Sequence, residues 1–191
     1  VVRRTDTRRR MVASAAELFR SQGYHATGLN QLVTAGGAPK GSLYFHFPGG
    51  KEQLAAEAIA HSGEAMADLL RELLTAAPDA GSAITGVIDA LGRNLADSGY
   101  RSGCPIATVA LDAGDSETIR QACTGGYRSW HAVITGYLTG EGLDAARAAT
   151  LSTIALSAIE GALLLARTQH DLAPLHAVAE HLRHTFEREL E

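Results

Sequence analysis

The stretch GGAPKGSLYFHFPGGK, residues 36–51, reads as a tight turn, a short helix, an aromatic exit and the cationic start of another helix. Upstream, Leu29, Leu32 and Val33 give a short helix one apolar face. Gly36-Gly37 ends that helix, because glycine enters left-handed backbone conformations at little steric cost. Two helices joined by so short a glycine turn predict a helix-turn-helix. Pro39 fits the first helical position, where its missing N–H costs nothing, so Lys40, Gly41 and Ser42 are expected in the first exposed turn of the second helix. In a helix-turn-helix, that turn meets base edges.

The residue types suit such a contact. Gly41 removes bulk where a helix approaches DNA, Lys40 can reach a guanine edge or a phosphate, and Ser42 can bond either base type. Leu43 follows in the same segment, and Tyr44 and His46 are phosphate candidates. Phe45 and Phe47 are expected to leave on other faces as anchors. Lys51 opens the next helix, where its charge opposes the helix dipole at a cost of a few tenths of a kcal/mol; a phosphate held there by the ammonium and the helix N–H groups offsets that cost. Thr27 is placed to cap the preceding helix, and a capping hydroxyl can also touch phosphate.

The run from Gly23-Tyr24 through Thr27, Leu32, Gly37, Lys40-Gly41-Ser42-Leu43-Tyr44, Phe47 and Lys51 resembles the DNA-binding domain of TetR-family repressors. The Pro-Gly-Gly-Lys after Phe47 and the segment Gly103-Cys104-Pro105-Ile106-Ala107 are similar to the LmrA/YxaF branch of that family. Gly28 stands where the family often has Ser or Thr. The resemblance implies a small-molecule cavity among the helices of the body, for which Met66, Leu70, Cys104, Ile106, Tyr127, Trp130, His131 and Ile134 are the candidates. It also implies a homodimer, an apolar or aromatic inducer and a target such as a drug-efflux gene.

Charge is distributed unevenly along the 191 residues. Residues 1–51 hold eight Lys or Arg against Asp6 and Glu17, while the remainder carries nine Arg and nineteen acids, for an overall −4. That asymmetry suggests a nucleic-acid-binding head on an acidic body. Abundant Ala and Gly and scarce aromatics favour helices. Two cysteines, Cys104 and Cys123, supply neither a disulfide framework nor metal-ligand spacing, which is in keeping with a reduced cytoplasm. The N-terminus has Arg and Thr but no apolar h-region, so no signal peptide is expected. Residues 148–166, diluted by Ser, Thr and Gly and interrupted by Glu160, read as a poor membrane span.

The expected fold is all-α with about nine helices: a three-helix helix-turn-helix head, residues 1–50, and a ligand-binding and dimerisation body, residues 51–191. After a loose basic arm at residues 1–5, a first helix runs from Asp6 or Thr7 to Gln22, with Val12, Ala15, Ala16 and Phe19 on one face and Gly23 as its stop. A long helix from Lys51 to about Ala76 ends before Pro78. Ser82 caps another carrying Ile84, Val87, Ile88, Leu91 and Leu95. Pro105 starts a short helix to about Ala113, and a further one from Ser116 to about Leu138 aligns Ile119, Cys123, Tyr127, Trp130, Ile134 and Tyr137. Such a stripe suits a core as well as a ligand box. Residues 143–167 are apolar or small on nearly every side, so the helix must be covered all round, and Glu160 within it calls for a hydrogen-bonding partner. The last helix, residues 172–190, has Leu175, Ala179, Leu182, Phe186 and Leu190 as a stripe. Two such helices from each of two subunits make a four-helix interface, with Leu151, Ile154, Ala158, Leu175, Leu182 and Phe186 as its candidates. A two-fold dimer also suits a palindromic site.

Two other readings compete. Glu57, His61 and Glu64 share a helical face, as do His181 and His184, which would suit a metal protein or enzyme on a bundle. The repeated Glu-x-x-His motif is missing from the sequence, as are a Gly-x-Ser-x-Gly elbow and a P-loop. No cofactor and no enzymatic activity are therefore expected. A ligand-blind DNA clamp keeps the head and discards the pocket, and predicts little sequence preference.

Overall fold

The computed structural model describes residues 2–39 and 41–190, with side chains in the first helix from Asp6 onward. Among these residues there are nine α-helices and no strand. They are α1 (Val2–Gln22), α2 (Leu29–Ala35), α3 (Ser42–His46), α4 (Gly50–Ala76), α5 (Ala80–Asp97), α6 (Ala107–Asp112), α7 (Glu117–Gly140), α8 (Ala145–Gln169) and α9 (Ala173–Leu190). The chain divides into two compact units: Val1–Ala65 with Cys104–Tyr127, and Met66–Gly103 with Arg128–Glu191.

In the first unit, α1 buries Met11, Ala15 and Phe19 and stops at Gly23, whose φ of 85° is the left-handed conformation that a side chain would strain. α1 is helical from Val2, earlier than the expected Asp6, so the segment assigned to a loose arm continues the helix. α2 buries Leu32 and Val33 but leaves Leu29 exposed, so Leu29 is not part of the apolar face. Two bonds close its end, Gly37 N–H to the Thr34 carbonyl and Ala38 N–H to the Val33 carbonyl, around Gly37 at φ 60°. This is the Schellman arrangement. Gly36 is not left-handed; it is needed for space, since a Cβ there would lie 2.7 Å from Met11 Cγ.

The second unit is built around α9. Its Leu175, Ala179, Leu182 and Phe186 are buried, packed chiefly against α5 and then α8. α5 offers Ile84, Val87, Ile88 and Leu95, and its Gly81 admits the side chains of α9: a Cβ there would stand 2.7 Å from Glu187 Oε1 and 3.0 Å from Arg183 Cγ. The cap of α5 is Asp79, which accepts the Ser82 N–H at 2.7 Å; Ser82, the expected cap, is the residue being bonded.

This packing corrects part of the expected dimer surface. Leu175, Leu182, Phe186 and Leu151 are buried within one chain, because α5 and α8 already satisfy them. Of the six candidates, Ile154 is exposed and Ala158 partly so. The outward face of α8 instead presents Ile154, Ala158, Gly161 and Leu165 at helical spacing, with Ile154 47% and Leu165 52% exposed and Leu164 beside them. By length and composition alone α8 is long and apolar enough to cross a membrane; its inner face is core, with Ala148, Leu151, Ala155, Ile159 and Ala162 buried.

Candidate nucleic-acid interface

The segment after α2 turns more tightly than the sequence suggests. α3 begins at Ser42, not at Pro39, and its N-cap Gly41 sits at φ 90°. The Pro39 carbonyl accepts both the Ser42 N–H at 3.0 Å and the Ser42 hydroxyl at 2.8 Å, closing a turn where a first helical turn was expected. Gly41 is required by its backbone: a Cβ would meet nothing within 4 Å, but the positive φ would strain it. Lys40 lies outside the described residues.

Within α3 the side chains separate by depth. Leu43, expected among the DNA-facing residues, is buried and anchors the helix. Phe47, at the C-cap, is fully buried, with the Arg8 guanidinium 5.0 Å from its ring centre. Arg8 is in turn paired with Glu57 at 2.6 Å. Tyr44 and Phe45 point outward, 59% and 61% exposed. Phe45, expected as an anchor, points outward instead, since this five-residue helix turns its buried face through Leu43 and the C-cap Phe47. His46 is half-buried, its ring 5.1 Å from that of Phe45 and 6.4 Å from that of Phe47.

Lys51 lies near the start of α4 with its Nζ 4.2 Å from the centre of the Tyr24 ring, a cation–π contact. Burial pulls the Lys51 ammonium below its ordinary range, with the charge of Asp112 opposing. Burial and the neighbouring Glu52 push the Tyr24 phenol up. Thr27 is fully buried and its hydroxyl donates to the Gly23 carbonyl at 2.7 Å. The cap position of α2 belongs to Gly28, which has no side chain to bond with. Thr27 therefore locks the α1–α2 turn from inside, which corrects its expected role as cap and phosphate contact. Of the early arginines, Arg9 and Arg10 both pair with Asp6.

The expected cavity residues divide between the units: Cys104, Ile106 and Tyr127 fall in the first, and Met66, Leu70, Trp130, His131 and Ile134 in the second. Cys104 Sγ accepts the N–H groups of Ile106 and Ala107, each at 3.4 Å. His131 Nε2 lies 3.0 Å from the Ala149 carbonyl and 3.1 Å from the Thr153 hydroxyl. The second unit also has an open groove of about 530 Å³ lined by Arg71, Leu74, Thr75, Ser129, Ala132, Val133, Gly136 and Tyr137, none of them among those candidates. Among the described residues no three His, Cys, Asp or Glu side chains converge as metal ligands. Glu57, a candidate ligand, accepts instead from Arg8 and Gln53.

Residues 12–58 match the family model for bacterial regulatory proteins of the tetR family, and residues 80–181 match the model for the C-terminal domain of LmrA/YxaF-like transcriptional regulators. The HTH-type transcriptional regulator YxaF of Bacillus subtilis is 37% identical over 180 residues, covering 94% of each chain. The chain belongs to the TetR family. The HTH-type transcriptional regulator LmrA of the same organism is also 37% identical, over 89% of this chain and 91% of its own. A TetR transcriptional regulator from Chloroflexus aurantiacus superposes with a TM-score of 0.80 at 28% identity, covering 99% of this chain and 98% of that one. TetR-family regulators bind DNA and dimerise. In this TetR-family member, Tyr44 and Phe45 stand outward on α3, and Leu43, Phe47 and Thr27 hold that helix and its neighbour in place.

The sequence pattern missed two contacts that shape this region. Tyr24 is the platform for Lys51, a role its place in the Gly23-Tyr24 motif does not announce. Asp112, remote in sequence, reaches the same turn, and no local periodicity could have announced it.

Proposed function

We propose that this TetR-family regulator is a homodimeric repressor that binds a palindromic operator and leaves it when a small apolar or aromatic molecule enters its body, with an efflux or resistance gene as the target. The functional division is a head at residues 1–50 and a ligand-binding and dimerisation body at 51–191, acting in the cytoplasm. The outward pair Tyr44 and Phe45, on a short helix in the positively charged first 51 residues, carries the DNA-binding reading. Phosphate contacts fall to Tyr44, His46, Lys51 and Lys40, with the backbone at Gly41 and the remaining acceptor capacity of Ser42 near the bases.

The outward apolar face of α8 supports pairing of two chains. The groove beside Leu74, Val133 and Tyr137 supports a ligand with apolar area and a polar edge. For release, the ligand must favour a conformation whose recognition helices are wrongly spaced for adjacent major grooves. A difference of about 3 kcal/mol between the two states weakens binding roughly a hundredfold.

The test is a mobility-shift titration against the DNA upstream of the gene and a scrambled duplex at physiological salt. The expected result is competitor-resistant binding at one dimer-sized site, with an affinity ratio of roughly 10³ or more over the scrambled duplex. Equal weak binding to that upstream DNA, to genome fragments and to the scrambled duplex would refute a specific repressor.

A further inference from the structure

A carboxylate at the C-terminal end of a helix opposes the helix dipole, and α6 ends in one, Asp112. Its oxygen has a specific use. Asp112 Oδ2 accepts the His25 backbone N–H at 2.6 Å, across 87 positions of sequence. It reaches the turn between α1 and α2 because Gly23 has no side chain: a Cβ there would stand 3.0 Å from that same oxygen. The same turn carries Tyr24, whose ring centre lies 4.2 Å from Lys51 Nζ, and the Asp112 charge favours the Lys51 ammonium. Just beyond it, the Ser116 hydroxyl donates to Glu52, the neighbour of Lys51. A segment outside the helix-turn-helix sequence therefore grips both the first turn of the head and the first residues of α4, and α6 packs on α1 as well.

We propose that Asp112 is a positioning residue for DNA binding: it fixes the turn that presents α2 and carries Tyr24, the platform for Lys51, and its negative charge opposes the approach of a DNA phosphate to that platform. This rests on the DNA-binding reading above. The two roles need different chemistry. Fixing the turn needs an acceptor oxygen, which a carboxamide keeps. Opposing a phosphate needs the negative charge, which a carboxamide lacks. Asp112 is exposed, so its replacement leaves the core intact.

The experiment compares wild type, Asp112→Asn and Asp112→Ala by amide hydrogen exchange at His25 and by titration with a random-sequence duplex over a range of salt. Asp112→Asn is expected to keep His25 protected and to bind the duplex several-fold tighter at low salt, the gain shrinking as salt screens it. Asp112→Ala is expected to lose His25 protection by about tenfold, and to gain less affinity than Asp112→Asn because its turn is no longer fixed. Unchanged His25 exchange in Asp112→Ala overturns the positioning role, and an Asp112→Asn affinity equal to wild type overturns the opposition to phosphate. Wild-type protein that binds no duplex overturns the DNA-binding reading and this proposal with it. Wild-type binding with Asp112→Ala unchanged in both readouts overturns this proposal alone.

Discussion

Replacing Gly126 with alanine puts a methyl group where the structure has no room for it. The missing side chain lets α7 approach α4 at Gly63, and a Cβ on Gly126 would lie 2.3 Å from Ile106 Cδ1 and 3.9 Å from Gly63 Cα. Ile106 is fully buried, so its δ-methyl has no solvent to turn into. Alanine gains up to about 1 kcal/mol over glycine in a helix interior, and the overlap costs about 1–3 kcal/mol. The expected net loss is roughly 1 kcal/mol, a fall in Tm of about 2–4 °C for a chain of this size. The partner variant isolates the cause. Ile106→Val removes the overlapping methyl and alone costs about 0.5–1.5 kcal/mol. In the double variant the alanine methyl occupies the vacated space, so its stability should return close to wild type, a coupling on the order of 2 kcal/mol. Urea unfolding followed by circular dichroism, at one fixed protomer concentration, measures all four proteins. Simple addition of the two single losses would refute the steric argument.

Lys51→Ala should weaken binding to every duplex and reduce the slope of log K against log salt by about one; an unchanged slope removes Lys51 from the phosphate contacts. Phe45→Ala should leave the unfolding midpoint where it is, because the ring is mostly exposed, and should weaken operator binding in a mobility shift; a lower midpoint with intact binding would show that the ring is structural. The Asp79 carboxyl is held below its usual range by the Ser82 N–H and hydroxyl. Its folded value lies under its unfolded one, so its stabilisation is present above about pH 3.9 and is lost as pH falls through the folded value. Asp79→Ala should therefore lower Tm at neutral pH, with the gap to wild type closing under acid; a constant gap would assign the loss to something other than the ionised cap.

Much of the fold was legible because it is written in local terms. Gly23 and Gly37 end helices by conformations that only glycine adopts freely, and the apolar spacing of α5 and α9 fixes which faces turn inward. What failed was the choice between partners that offer the same chemistry. Thr27 could cap a helix or bond back to Gly23, and the turn geometry selects the second. Leu182 and Phe186 could meet a second chain or α5; the packing of α9 on α5, close at Gly81 where a Cβ would stand 2.7 Å from Glu187, buries them within the chain. Phe45 could be anchor or reader, and the buried face of α3, running through Leu43 and Phe47, leaves it outside. The positions Tyr44 and Lys51 were legible as candidates from residue type, yet Asp112 was not, since its bond to His25 depends on a contact that spans much of the chain.

The outward face of α8, with Ile154, Ala158, Gly161 and Leu165, also bears on gene dosage. A regulator assembled through that face responds steeply to its own abundance. Below the dissociation constant of the pair, halving the protomer concentration lowers the paired species about fourfold. A substitution at Ile154 would then act like a reduced copy number, loosening control of the target gene without touching either the DNA or the ligand.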